Sequence, residues 1–128
     1  MLFRSGLIGT WQSDRRRTLK ELRFRPGLAR RHREYVRASF GHLRLRYTRG
    51  RIHGVLRGFS FTQPYEVLDS DAISVAIRSY YQTTDEWLIT HIHFQGERHY
   101  WISFGYIREW FRRVKDDEGL LCRKLGSL

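Results

Sequence analysis

The sequence predicts a mainly β protein, a single antiparallel up-and-down barrel of about eight strands with a helical pair between the first and second strands. The chain has 128 residues, which suits one domain spanning 1–128, with a tail at 115–128 that we expect to fray. From residue 42 onward, apolar residues recur at every second position in short runs separated by turn residues. Eight consecutive strands of this kind close well into a barrel and leave no exposed edge.

The N-terminal segment predicts one strand followed by a short helix. Residues 5–13 are apolar and punctuated by glycine, and their β-branched and aromatic members favour a strand. The spacing of Thr18 and Glu21 is that of a capping box, in which each side chain satisfies a backbone N–H group of the first helical turn. We therefore expect a helix over Thr18–Phe24, which Pro26-Gly27 ends.

A second helix is predicted over Leu28–Phe40. Apolar and aromatic side chains in this segment recur at spacings of three and four, which places them on one face, while basic residues occupy the other face. Gly41 is a natural C-terminal stop for this helix. The predicted stripe consists of Leu28, His32, Tyr35, Val36, Ser39 and Phe40.

The rest of the chain predicts consecutive strands. In the first of them Leu43, Leu45 and Tyr47 alternate with polar residues, so these three side chains share one face. Arg49-Gly50 is expected to turn the chain into the next strand, and Gln63-Pro64 to interrupt a later one. The further strands are predicted over 51–61, 65–68, 72–80, 86–94, 97–104 and 107–114.

The hairpin around Gln95-Gly96 decides whether histidines can form a metal site. A two-residue turn there places His91 opposite Tyr100. In that register His99 points away from His91 and His93, and because zinc usually takes three or four ligands, no metal site is predicted. A register slip of one residue would reverse this arrangement.

Positive charge is concentrated in the first half of the chain. The net charge is +11, and residues 1–60 hold 16 basic residues against three acidic ones. Such asymmetry is found on faces that bind nucleic acid or anionic membranes, although an arginine-rich composition alone also produces it. The hypothesis of an anionic partner rests on the arginines of the helical segment, Arg15, Arg16, Arg17, Arg30, Arg31, Arg33 and Arg37.

Two short motifs relate the chain to a known family. Gly9-Thr10-Trp11 on the first strand, with Arg112 or Arg113 on the last, resembles the signature of the calycin superfamily, which includes the lipocalins and the fatty-acid-binding proteins. In that family an arginine of the last strand packs across the tryptophan of a Gly-x-Trp motif and closes one end of the barrel. Stacking of a guanidinium on an indole ring is favourable, and the same guanidinium can bond nearby carbonyl groups. The pattern is also similar to small bacterial lipocalin-like proteins.

The resemblance implies a non-enzymatic protein that binds a small apolar or amphipathic ligand in the barrel interior. It does not extend to carboxylate recognition, because the Arg-x-Tyr pair of the fatty-acid binders is Arg108-x-Trp110 here and lacks the phenol. No catalytic residue, metal or cofactor is predicted, and the absence of a transmembrane run or signal peptide leads us to expect a cytoplasmic location. The candidate lining residues are Leu43, Leu45, Tyr47, His91, Tyr100, Ile102, Glu109 and Phe111.

Glu109 is the acidic residue with the most apolar sequence neighbours, Ile107 and Phe111. On a strand it shares a face with Arg113, and a buried carboxylate normally needs a cationic partner. An ion pair that closes the barrel is therefore favoured over a site for a ligand headgroup. A second alternative is a small enzyme in which Glu109 works with a histidine, which requires the two groups to lie within a few ångströms of each other.

Overall fold

The computed structural model describes residues 6–115, apart from the side chain of Phe104, and shows a closed barrel of eight antiparallel strands. Each strand pairs with its neighbour along the chain, and the first pairs with the last. The predicted mainly β barrel with a helical pair after the first strand is confirmed. The predicted tail lies outside the described residues, except for Lys115. The elements are β1 (Gly9–Ser13), α1 (Arg15–Glu21), α2 (Arg30–Ala38), β2 (Leu43–Thr48), β3 (Arg51–Leu56), β4 (Phe59–Ser70), β5 (Ser74–Tyr81), β6 (Glu86–Gln95), β7 (His99–Phe104) and β8 (Ile107–Val114).

Two turns differ from the prediction, and the differences compensate in the strand count. The predicted strand 51–61 is divided at Arg57-Gly58, where both residues have positive φ. The predicted break at Gln63-Pro64 does not occur, because β4 continues to Ser70. Pro64 occupies the last pair of the β3–β4 ladder, and β4 pairs with β5 from Tyr65 onward. Pro64 therefore lies where β4 changes its partner strand from β3 to β5. Its missing N–H group does not interrupt either ladder.

The first helix begins earlier than the capping box predicts. Asp14 caps α1 by accepting a hydrogen bond of 3.1 Å from the Arg17 N–H. The Thr18 hydroxyl is instead buried and accepts a bond of 2.9 Å from the Trp110 N–H. The predicted start at Thr18 is therefore wrong, because its side chain fixes α1 against the outside of β8 rather than capping the helix.

The second helix packs less closely than its apolar stripe predicts. None of the residues of α2 is buried, and the buried member of the predicted stripe, Phe40, follows the helix. The Ala38 carbonyl at its C-terminal end accepts a hydrogen bond of 3.0 Å from the Arg57 guanidinium in the β3–β4 turn. In the described part of the chain, no helix has the length and apolar character required to cross a bilayer.

The two ends of the barrel are different in kind. The end at which β1 finishes and the helices leave, here called the helix end, also carries the Arg57-Gly58 turn. The opposite end, here called the Arg113 end, carries the start of β1 and the end of β8. A compact cluster fills the interior on the Arg113 side, and its completely buried members are Leu7, Trp11, Ile92, Tyr100 and Phe111.

Candidate functional site

Exposure of the inward-facing side chains rises from the Arg113 end to the helix end. Residues paired across neighbouring strands lie on the same face of the sheet, so the pairing of Leu56 with Leu43 and with Phe59 places all three on the inner face. Despite this orientation, 40% of the surface of Leu56 and 68% of that of Phe59 remain exposed. Inward-facing residues of the opposite end, such as Trp11, have no exposed surface. The barrel is therefore a cup, filled at its floor and open at the helix end.

The wall of the cup is incomplete between β6 and β7. These strands share three ladder pairs, from His93–Trp101 to Gln95–His99, and no pair joins their remaining described residues. Leu88 faces inward, since it pairs with the buried Ser79 on β5, yet 43% of its surface is exposed. Leu88 is thus exposed on a part of β6 that has no ladder partner on β7.

Glu109 is buried in the interior and has one hydrogen-bond partner among the described residues. The Ser13 hydroxyl donates to Glu109 Oε2 at 2.7 Å, and the same Ser13 oxygen accepts a bond of 3.0 Å from the Gly41 N–H. Burial raises the pKa of the Glu109 carboxyl, and the bond from Ser13 partly offsets this effect. Across the ladder Glu109 faces Ile102, which lies on β7 beyond the last β6–β7 pair. Its carboxyl is bonded toward β1, on the side of β8 away from β7.

The predicted ion pair between Glu109 and Arg113 does not form. Four residues along a strand span roughly 13 Å, so a shared face does not bring these groups together. The Arg113 guanidinium lies at the other end of the barrel and donates to the carbonyl oxygens of Ile8 and Glu97 at 2.9 and 3.0 Å. No cation of residues 6–115 lies within salt-bridge distance of Glu109.

The predicted lining residues divide between floor, wall and exterior. Tyr100 and Phe111 belong to the filled floor, where the hydroxyl groups of Tyr47 and Tyr100 lie 2.9 Å apart. Burial raises the pKa of both phenols. Leu45 is also buried, whereas Leu43 and Ile102 are partly buried and pack against the floor cluster from the helix side. Glu109 lies with this second group, and His91 lies outside the barrel.

The position of His91 corrects the predicted hairpin. The β6–β7 turn contains three residues, 96–98, so Phe94 rather than His91 is opposite Tyr100. This change of register places His91, His93 and His99 together on the outer face, contrary to the prediction. The six histidines nevertheless supply no metal site in the described part of the chain, where no three His, Cys, Asp or Glu side chains are grouped to hold an ion.

The same register separates the groups proposed for an enzyme. Glu109 faces the interior, whereas His91 and His93 face outward from the sheet. Burial is the main cause of a lowered pKa at His93 and at His99. The hypothesis of a Glu109–histidine pair on these strands is therefore wrong, because the barrel wall lies between the two groups.

Sequence reasoning missed Ser13, Leu88 and Thr90 as residues of the cup. Ser13 could have been found from its inward position two residues after Trp11. Leu88 and Thr90 could not, because β6 is apolar on both faces, so its alternation does not show which face points inward.

Comparisons of the chain with protein-family models, with curated proteins and with solved structures each found no match. The eight-stranded antiparallel barrel is compatible with a calycin-like fold. The resemblance implied that Arg112 or Arg113 packs across Trp11. In the structure it is Arg113 that lies over Trp11, with its guanidinium carbon 4.3 Å from the ring centroid. The site must therefore be interpreted from its own geometry.

Proposed function

We propose that the protein is a non-enzymatic binder of a small amphipathic ligand, held in the open half of the barrel. The observation that carries this proposal is Glu109, a buried carboxyl with no cationic partner among the described residues, on the helix side of a cup whose inward-facing apolar side chains remain accessible. Concave, mostly apolar sites with a few placed polar groups are typical of small-molecule binding.

The hydrogen bonds of Ser13 determine what Glu109 can offer to a ligand. Ser13 donates its single hydroxyl proton to Oε2 and accepts a bond from the Gly41 N–H. This leaves Glu109 Oε1 without a partner among the described groups. This oxygen is not completely enclosed, because Trp110 Nε1 is the only fully buried side-chain polar atom of the described residues that has no partner. Glu109 Oε1 can therefore accept a hydrogen bond from a hydroxyl or amine on the ligand.

The apolar part of the ligand would lie beside this carboxyl, against the inward-facing apolar side chains of the helix end. Leu43 and Ile102 flank the floor, while Leu56, Phe59 and Leu88 point inward and keep substantial exposed area. Covering apolar surface of this kind contributes about 25 cal/mol per Å² removed from water. A ligand with one hydrogen-bond donor and a hydrocarbon body fits both parts of the cup.

Two adjacent positions on β6 provide a matched test. Thr90 faces inward and Ile89 faces outward, so Thr90→Trp obstructs the cup while Ile89→Trp adds the same ring outside it. Fluorescence of anilinonaphthalene sulfonate, displaced by medium-chain alcohols and amines, reports on the interior. We expect saturable displacement with the unmodified protein and with Ile89→Trp, and its loss with Thr90→Trp. Absence of saturable displacement, or an equal effect of both substitutions, would refute the proposal.

A further inference from the structure

Three of the four tryptophans lie on the outside of the barrel rather than in its core. Trp11 alone faces inward, as part of the floor cluster. The other three lie on the outer faces of β6, β7 and β8, and each has an arginine guanidinium over its ring. The three pairs, with distances from the guanidinium carbon to the ring centroid, are Arg17–Trp110 (3.9 Å), Arg108–Trp101 (4.1 Å) and Arg78–Trp87 (4.5 Å).

The Arg108–Trp101 pair belongs to a continuous row of stacked groups. On Trp101 the His93 ring stacks with a centroid distance of 4.0 Å and an interplanar angle of 14°, and His93 in turn lies 5.4 Å from His91. The row therefore crosses three strands, from the exposed His91 on β6 to the exposed Arg108 on β8. Further along β6 on the same face, Trp87 keeps 43% of its surface exposed. We call this region, from Arg78 on β5 to Trp110 on β8 together with Arg17, the aromatic-basic face.

Three acidic groups at the border of the aromatic-basic face are engaged in local contacts. Glu66 accepts two hydrogen bonds from Arg78, at 3.0 and 3.1 Å. Asp71 accepts bonds from its own turn, including the Ile73 and Ser74 N–H groups. Asp85 accepts a bond from the Tyr80 hydroxyl. Glu86, next to Trp87 in the chain, belongs to the opposite face of β6.

We propose that the aromatic-basic face binds single-stranded nucleic acid. Bases would stack on the exposed rings of Trp87 and His91, and phosphates would contact Arg108 and Arg112. Alternate residues of a strand repeat at roughly 7 Å, so β6 presents successive side chains at regular intervals along one line. Stacking platforms combined with a positively charged track are the usual means of binding single strands without reading their sequence.

A purely structural role for the three arginine–tryptophan pairs explains less of the arrangement. Such pairs do cover apolar surface, and Arg17 covers Trp110 almost completely. They do not explain why Trp87, His91 and the intervening Ile89 remain exposed on one strand face. A base-stacking partner accounts for both the rings and the charge. An anionic membrane also takes up exposed tryptophan beside arginine, so the test includes vesicles that separate the two partners.

The test uses the full-length chain and a fluorescein-labelled oligothymidylate. We expect binding by fluorescence anisotropy at low salt, a steep loss of affinity as salt is added, and quenching of tryptophan fluorescence by the stacked bases. Trp87→Leu should weaken binding about tenfold, the effect of losing one stacked base. Arg108→Gln should weaken binding and reduce its salt dependence, whereas Arg46→Gln, on the outer face of β2, should leave affinity within about twofold of the original.

Several outcomes would overturn the proposal. Absence of binding at low salt would overturn it. If the protein binds heparin or duplex DNA as tightly as the single strand, and without tryptophan quenching, the interaction depends on charge alone and the proposal is also wrong. Equal binding to vesicles of anionic phospholipid would assign the charge to a membrane. A larger loss from the triple change of Arg30, Arg31 and Arg33 to Gln than from Trp87→Leu would place the site on α2 instead. Circular dichroism of each variant establishes that the barrel is retained.

Discussion

Arg113 and Trp11 join the last strand of the barrel to the first. The guanidinium carbon of Arg113 lies 4.3 Å from the Trp11 ring centroid, and the same group donates to the Ile8 carbonyl just before β1. Gly9 makes this approach possible, because a Cβ there would lie 2.6 Å from Arg113 Nη1 and the residue has φ of +133°. The Gly-x-Trp motif and the final arginine therefore act as one structural unit.

Replacing Arg113 with lysine should destabilise the barrel by about 2–4 kcal/mol. A lysine cannot reproduce the planar fork that stacks on the indole while bonding several carbonyls. The expected cost combines one cation–π contact with two or three hydrogen bonds. Urea unfolding followed by tryptophan fluorescence measures it. Arg112→Lys is the matched control, since Arg112 is exposed on the same strand, and equal effects at the two positions would contradict our account of the closure.

Replacing Glu109 with glutamine should stabilise the folded protein at neutral pH and have little effect in acid. Burial raises the pKa of Glu109 above its usual value of 4.5, so the unfolded chain releases its proton at a lower pH than the folded one. The contribution of this group to the free energy of unfolding therefore falls as pH rises from 4.5 to the pKa of the folded state. Above that pKa the contribution no longer changes with pH. The loss is about 1.4 kcal/mol for each tenfold change in the acid dissociation constant.

Urea unfolding across a pH series would measure this difference between the original protein and Glu109→Gln. The stability gap should open as pH rises and then remain constant. Glu97→Gln, on the exposed β6–β7 turn, is the control and should show no such gap. A gap that narrows with rising pH would mean that Glu109 has an ionic partner in the folded state.

The hydroxyl groups of Tyr47 and Tyr100 should show strong coupling in a double-mutant cycle. Each is buried, and they bond to each other at 2.9 Å. Tyr47→Phe or Tyr100→Phe alone leaves a buried hydroxyl unpaired, which costs about 1–3 kcal/mol, whereas the double change removes both polar groups. We expect the double variant to be less destabilised than the sum of the two single ones. Additive losses in thermal or urea unfolding would show that the bond contributes nothing.

Gly54 should not tolerate a side chain. It lies opposite Phe61 across the β3–β4 ladder, and a Cβ at this position would overlap the Phe61 ring. Gly54→Ala should cost about 1–3 kcal/mol, as over-packing of a barrel interior typically does. Combining it with Phe61→Leu should recover part of this loss, because the smaller side chain leaves room. If the double variant is less stable than the sum of both single losses, overlap with Phe61 is not the cause.

The fold could be predicted because its strongest signals are local. The alternation of Leu43, Leu45 and Tyr47 and the positive-φ glycine of the Arg49-Gly50 turn each act over a few residues. Arg57-Gly58 was missed, although it is the same pair of residues as the predicted Arg49-Gly50 turn, because Leu56 and Phe59 on either side of it favour a continuous strand. Pro64 was misjudged because its effect depends on which strand it pairs with. Missing the Arg57-Gly58 turn removed one strand from the predicted count, and the break wrongly predicted at Gln63-Pro64 added one, so the total was still eight.

The candidate site was predicted less well, because it depends on register and distance. One additional residue in the 96–98 turn places His91 and His93 on the outer face, together with His99, instead of in the interior. The strand alternation places Glu109 and Arg113 on the same face of β8 but does not give the distance between their side chains, which lie at opposite ends of the interior. Whether a tryptophan faces inward or outward is equally hidden in strands that are apolar on both sides, as β6 shows.

The three-pair ladder between β6 and β7 has a mechanical consequence. Separating these strands breaks far fewer bonds than separating β5 from β6, which share eight pairs. The two junctions of β1, with four pairs each, come next, so the β6–β7 seam has the fewest ladder bonds to lose. We expect local opening of the barrel to begin there, away from the helices that connect β1 to β2.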